Sequence, residues 1–119
     1  MEQKIFEHDS QKIAEIISDQ IEIHTVQDAL DWMANASYEG AHNLVVYEHN
    51  LSPEFFDLKT QLAGDILQKA ANYHMKVAIV GDFARYGSKS LRAFMVECNR
   101  GRQIFFVADR ETAVSRLTA

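Results

Sequence analysis

Two stretches of the chain carry residue types that can do chemistry. The first runs Asp82-Phe83-Ala84-Arg85-Tyr86-Gly87-Ser88-Lys89 and follows the apolar run Lys76–Val80 and a glycine. An aspartate at the end of a strand can serve as a base or bind a metal. A serine, a lysine and the free N–H groups of a helix start can hold a phosphate or a carboxylate. The plainer reading of Ser88 is a helix cap, because serine is so common at that position. Asp82, Arg85, Tyr86, Ser88 and Lys89 are therefore candidate ligand-binding residues, and the ligand they suit is anionic. The second stretch is Asn99-Arg100-Gly101-Arg102. A helix C-terminus accounts for Gly101 as the residue that reverses the chain, and for Arg100 as a cation favoured by the helix dipole. Arg102, at the entry to a strand, is left over, and a partner or inter-subunit contact is the sharper reading of it.

The remaining chemistry-bearing residues form no recognisable set. His8, His24, His42, His49 and His74 lack metal-ligand spacing such as His-x-x-x-His. Gly81 and Gly87 make no dinucleotide fingerprint, and no Walker sequence is present. Ser88 and Ser90 lack the Gly-x-Ser-x-Gly setting of a hydrolase nucleophile. Cys98 is the only cysteine, so no disulfide can form within the chain, which suits a reducing cytoplasm. It falls on the apolar side of a predicted helix, where a buried, inert thiol is favoured over a nucleophile. The expectation is no catalytic set, no metal and no cofactor.

A chain of 119 residues suffices for a single domain with one core, and 47% apolar with 24% charged residues is ordinary for a globular protein. No stretch approaches the roughly 20 apolar residues that a membrane span needs. The N-terminus shows no apolar run behind basic residues, so neither a signal peptide nor a membrane association is expected, and the protein is expected in the cytoplasm. The net charge of −5 argues against nucleic acid. Its distribution says more. Residues 1–84 hold 14 acidic and 5 basic side chains, whereas residues 85–119 hold 3 acidic and 7 basic ones. Six of those seven are arginine, whose planar fork suits carboxylate and phosphate. Pairing with the acidic half is the bland explanation. An anion site, or contact with an acidic protein partner, is the alternative.

The elements that position these residues follow from periodicity and caps. Residues 3–8 and 12–17 read as short strands around an Asp9-Ser10-Gln11 turn. Thr25, with Asp28 in the capping-box position, starts a helix over 26–38 that carries Val26, Ala29, Leu30 and Met33 inward, with Trp32 covering an edge and Gly40 ending it. Leu44 to Tyr47 reads as a buried strand. Ser52-Pro53-Glu54 opens a helical pattern that breaks near Asp57-Leu58. Lys76 to Val80 is the next strand, Ser88 starts a helix bearing Leu91, Phe94, Met95 and Cys98, and Gln103 to Val107 is the last strand. Asp109 then caps a closing helix with Ala113, Val114 and Leu117 inside. Apolar strands separated by helices imply parallel pairing, and the N-terminal strands add an antiparallel edge. The predicted fold is a single α/β domain over residues 1–119 with a mostly parallel mixed sheet. In such sheets ligands gather beyond the carboxyl ends of the strands, here Glu48-His49-Asn50, Asp82 to Tyr86, and Asp109-Arg110.

The segments LSPEFFDLKTQLAGDILQK (51–69), VAIVGDF (77–83), SKSLR (88–92) and ECNRGRQ (97–103) together resemble a family of short bacterial proteins catalogued as a domain of unknown function. The resemblance covers nearly the whole chain and implies a bacterial cytosolic protein without implying a reaction. In element order the chain is also similar to STAS domains, the fold of anti-sigma-factor antagonists, in which an Asp-Ser pair opens a helix and the serine is phosphorylated. Phe55-Phe56-Asp57 resembles the approach to that pair, but the next residue is Leu58 and the nearest hydroxyl is Thr60. The STAS resemblance thus implies a shape without its phosphorylatable serine, and it carries over only to Asp57 and Thr60. Two functional expectations result. One is a non-enzymatic regulatory or interaction module that binds an acidic partner or itself, as a homodimer, through Asp57, Lys59, Thr60, Arg100 and Arg102. The other is a binder of, or enzyme acting on, an anionic small molecule at the strand ends. DNA binding through 88–102 is disfavoured because that helix needs its apolar stripe for the core.

Overall fold

The computed structural model describes residues 1–119. β1 (Gln3–His8) and β2 (Gln11–Ile16) form an antiparallel hairpin in which His8 faces Gln11. Asp9 and Ser10 make the turn alone, at φ 50° and 67°, the left-handed backbone that a two-residue hairpin loop requires. The second strand therefore begins at Gln11, one residue earlier than the turn composition suggested.

Three helix–strand repeats follow. They comprise α1 (Val26–Tyr38), β3 (Asn43–Tyr47), α2 (Leu62–Asn72), β4 (Lys76–Val80), α3 (Lys89–Arg100) and β5 (Ile104–Val107), and α4 (Arg110–Thr118) closes the chain. The sheet order is β1-β2-β3-β4-β5, parallel from β2 onward. Each repeat adds one strand in the same direction and lays its helix on the same face, so all three crossovers share one hand, as the crossover rule demands. The caps hold as the sequence implies. Thr25 and Asp28 form a reciprocal capping box, and Ser88 and Asp109 accept from Leu91 N and Thr112 N. The expected break near Asp57 is real. Short 3₁₀ turns at Pro53–Phe56 and Leu58–Thr60 precede α2, with Asp57 between them in extended backbone.

Strand alternation sorts the core into two layers. Ala14, Ile16, Leu44, Val46, Val77, Ile79, Ile104 and Phe106 face α1, α2 and α3, while Ile13, Val45, Ala78, Val80, Phe105 and Val107 face α4 alone. β3 to β5 are buried on both faces, which is why their sequences are continuous apolar runs. Trp32 does not cover an edge: it is 1% exposed and lies within the main core. The hairpin extends the sheet beneath that flank of α1, and Gln3 of β1 reaches the carbonyl of Asn35, one turn from Trp32, at 3.0 Å. Gly101 also departs from expectation. Its φ is −87°, so α3 ends without a left-handed reversal. No helix is long and apolar enough to cross a membrane.

Candidate functional site

The carboxyl ends of β3 and β4 lie side by side, because Tyr47 is in register with Val80. Their following residues, Glu48 and Gly81, therefore meet. A Cβ on Gly81 would stand 2.6 Å from both Glu48 Cβ and Glu48 Oε1, so only glycine lets the Glu48 carboxylate lie across the strand end. That carboxylate collects three donors. Its Oε1 accepts from Asp82 N at 3.1 Å, and its Oε2 accepts short hydrogen bonds from Arg85 Nη2 and Tyr86 OH. The Arg85 guanidinium also donates to the Asp82 carbonyl at 3.3 Å and lies 4.9 Å from the centre of the Tyr86 ring.

These contacts set the protonation states. Burial pushes Glu48 upward, but the Tyr86 and Arg85 hydrogen bonds outweigh it and hold the carboxyl below its ordinary value. Burial and the Glu48 acceptor push the Tyr86 hydroxyl up to about 12. The Glu48 hydrogen bond raises Arg85 further above its ordinary value.

Around this cluster lies an open groove of about 510 Å³. Its polar side is Glu48, His49, Arg85 and Tyr86, and its apolar side includes Ile21, Leu51, Pro53 and Phe56. Phe56 stacks on Tyr86 with centroids 4.8 Å apart and planes at 18°. Phe83 packs beside both and meets Phe106 edge-on at 5.3 Å, which ties the aromatic wall to the core. Asn50, fully buried, braces the opposite bank. It accepts from Tyr47 N at 3.1 Å and donates to the carbonyls of Ser18 and Gln20 at 3.1 and 2.9 Å. Ile23 then pairs with Leu51, which holds the segment between β2 and α1 against the groove.

Of the five strand-end candidates, Arg85 and Tyr86 line the groove. Asp82 is exposed and bonds Ala84 N at 3.3 Å as a turn former, Ser88 is occupied as the α3 cap, and Lys89 is exposed on the first turn of α3. The other candidate surface does not come together. Asp57, Lys59 and Thr60 stand where the chain enters α2, at the carboxyl ends of the strands, whereas Arg100 and Arg102 stand at the foot of α3, beside the amino end of β5. Parallel strands put these positions at opposite ends of the sheet, about 16 Å apart by the length of α2. Thr60 is also committed locally: its hydroxyl lies 2.7 and 2.8 Å from the carbonyls of Glu54 and Asp57 and accepts from Leu62 N. Asp57 caps the turn through Lys59 N at 3.2 Å, and Arg100 pairs with its own neighbour Glu97 at 3.2 Å.

A second polar cluster sits on the α4 face, unforeseen from the sequence. Glu15 of β2, 5% exposed, accepts from Tyr47 OH at 2.5 Å and from Arg110 Nε at 3.0 Å. The Arg110 guanidinium covers the Phe6 ring at 4.6 Å. Burial pushes Glu15 upward, and the bonds from Arg110 and Tyr47 more than reverse it, leaving the carboxyl below its ordinary value. Tyr47 is pushed up to about 12 by burial and by Glu15. Cys98 is buried, and burial with the nearby Glu97 charge raises its thiol to about 11. No three His, Cys, Asp and Glu side chains gather closely enough to hold a metal ion.

Sheet and groove together define an α/β domain of the open, sequentially wound kind, with a ligand-sized groove where neighbouring parallel strands end. The chain belongs to the family described as Domain of unknown function (DUF4180), whose model matches residues 8–117. No curated protein matches it.

Proposed function

We propose that this chain is a non-enzymatic regulatory or interaction module of STAS-like shape, which holds a ligand or a segment of a partner in the groove at the ends of β3 and β4. The state of the Glu48–Tyr86–Arg85 cluster carries this reading. Proton transfer works best through groups that titrate near the working pH. Glu48 is held down, while Tyr86 and Arg85 are pushed up, each by bonds to the others. Each is shifted away from neutral pH, so the three shape and polarise the groove and are poorly matched to proton transfer. The Arg85 charge is matched by Glu48, so the fitting occupant is amphipathic, with an apolar body against Phe56 and Ile21 and a hydrogen-bonding end toward Arg85. STAS-like shape is supported by the element order, an antiparallel first strand followed by helix–strand repeats that each add one neighbour.

A thermal-shift screen of metabolites and short apolar peptides, followed by amide mapping, tests the proposal. An occupant present at 100 times its dissociation constant stabilises the fold by about 2.7 kcal/mol. It should shift the amides of Gly81, Arg85 and Tyr86, and Ile21→Glu at the groove rim should abolish it. Hits that never perturb those amides, or turnover of a bound compound that Glu48→Gln removes, would overturn the proposal.

A further inference from the structure

Three cations gather at the other end of the sheet. Lys76 opens β4, Arg102 lies between α3 and β5, and Arg116 stands in the last turn of α4. With Gly101, Phe105 and Ala119 they line a depression of about 320 Å³. Elsewhere two arginines are neutralised by largely buried carboxylates: Arg85 on Glu48, and Arg110 on Glu15. None of these three has an Asp or Glu carboxylate within 4 Å.

Lys76 and Arg116 are half-buried residues, so two of the three cations are carried on stems packed against the fold. Arg116 is also fixed in place. Its guanidinium lies 4.4 Å from the centre of the Phe105 ring and donates to the Asn99 carbonyl. Asn99 in turn is held by two hydrogen bonds with the backbone of Phe106, at 2.7 and 3.2 Å. Like charges around one depression repel one another, and an anion placed among them removes the repulsion. A guanidinium held on an aromatic face presents its remaining donors as a rigid fork, and that geometry suits phosphate oxygens.

We infer that this depression is a binding site for a small phosphate anion, inorganic or esterified, with Arg116 as the fixed fork and Lys76 and Arg102 closing on the phosphoryl oxygens. Three cationic donors around one hollow match a compact dianion better than the single charge of a monocarboxylate. Recognition is confined to this hollow and involves no basic stripe along a helix, which sets it apart from nucleic-acid binding. The site is independent of the groove at the carboxyl ends.

The test is an amide NMR titration with inorganic phosphate and pyrophosphate at constant ionic strength, with citrate in parallel. Amides of Lys76, Gly101 and Phe105 should shift saturably while Gly81 and Tyr86 stay still. Arg116 has a packing role on Phe105, so the variants are Lys76→Gln and Arg102→Gln. Arg102 is exposed, and its replacement leaves the core intact. Each variant should weaken binding by about tenfold or more, as expected for loss of a charged donor. No saturable shift at tens of millimolar phosphate, or unchanged affinity in both variants, overturns the site. Equal affinity for citrate and pyrophosphate overturns its assignment to phosphate.

Discussion

Replacing Arg110 with alanine tests the electrostatic reasoning most directly. The substitution leaves Glu15, 5% exposed, with Tyr47 as its only remaining side-chain partner. Removing one member of a buried ion pair costs about 3–5 kcal/mol. Arg110 itself is 45% exposed, so water can reach the vacated space and the cost falls below that range, to about 2 kcal/mol. Loss of the contact with Phe6 adds about 0.5 kcal/mol. The expected total is about 2–3 kcal/mol at neutral pH, or roughly 8–12 °C in Tm for a chain of this length. Trp32 supplies the assay. It is the only tryptophan, is 1% exposed, and lies across the sheet from Glu15, so its fluorescence in urea reports global unfolding.

The pH dependence makes the prediction sharper. Glu15 has a folded pKa below its unfolded value of 4.5, so the protein gains stability from this group above that pH. That contribution is lost as pH falls through the lower folded value, where both states bind the proton. In Arg110→Ala the Arg110 share of the lowering disappears, and burial, now opposed only by the Tyr47 hydrogen bond and the Lys4 charge, shifts the Glu15 value upward. The penalty of the variant should therefore be complete at neutral pH and shrink in acid. Glu15→Gln placed on the Arg110→Ala background should recover about half of the loss, since it removes the stranded charge and keeps a polar group for Tyr47. A penalty under about 0.5 kcal/mol, or one that does not change between neutral and acid pH, would refute the buried pair as described.

Gly81→Ala forces its new methyl against Glu48, and should cost about 1–3 kcal/mol while displacing the carboxylate from Arg85 and Tyr86; urea titration with amide NMR checks both effects. Thr25→Ala removes one half of the α1 capping box and should cost about 1 kcal/mol by the same titration, with little change in m-value. The Cys98 thiol, raised to about 11, should react with a disulfide reagent at pH 8 far more slowly in the folded protein than in urea, and equal rates would contradict its burial.

What the sequence made legible was whatever is written locally. A capping box at Thr25-x-x-Asp28, a Ser-Pro entry at Ser52-Pro53, and caps at Ser88 and Asp109 each need only a few neighbouring residues. So do the apolar runs of β3, β4 and β5. The contacts that escaped it depend on strand register or on distant elements. Glu48 and Arg85 are 37 residues apart in sequence. They meet because β3 and β4 are parallel neighbours whose ends coincide, and because Gly81 leaves room. Glu15 reads as one polar residue in a short strand, and its burial follows only from α4 folding back over the second face. The grouping of Asp57 with Arg102 failed for a related reason: motif likeness places residues along a chain, whereas parallel topology assigns them to opposite ends of the sheet.

The division of charge along the chain takes on a different meaning once partners are assigned. Pairing with the acidic half accounts for Arg85 and Arg110, which neutralise Glu48 and Glu15 across the fold. Arg100 is matched by Glu97 within its own helix. Arg92 donates to the Tyr86 carbonyl and so supports the loop that shapes the groove. The excess that remains is therefore concentrated and not a diffuse basic half: Lys89 on the exposed start of α3, and Arg102 with Arg116 beside Lys76, a lysine contributed by the acidic half itself. A uniform attraction to an acidic surface would need these charges spread over one face, whereas three of them converge on a single hollow at the amino ends of β4 and β5. The two ends of the sheet are thus chemically unlike. The carboxyl end offers a charge-balanced, aromatic groove, and the amino end offers cations without an Asp or Glu partner around a small depression, so the two proposed sites share no residues.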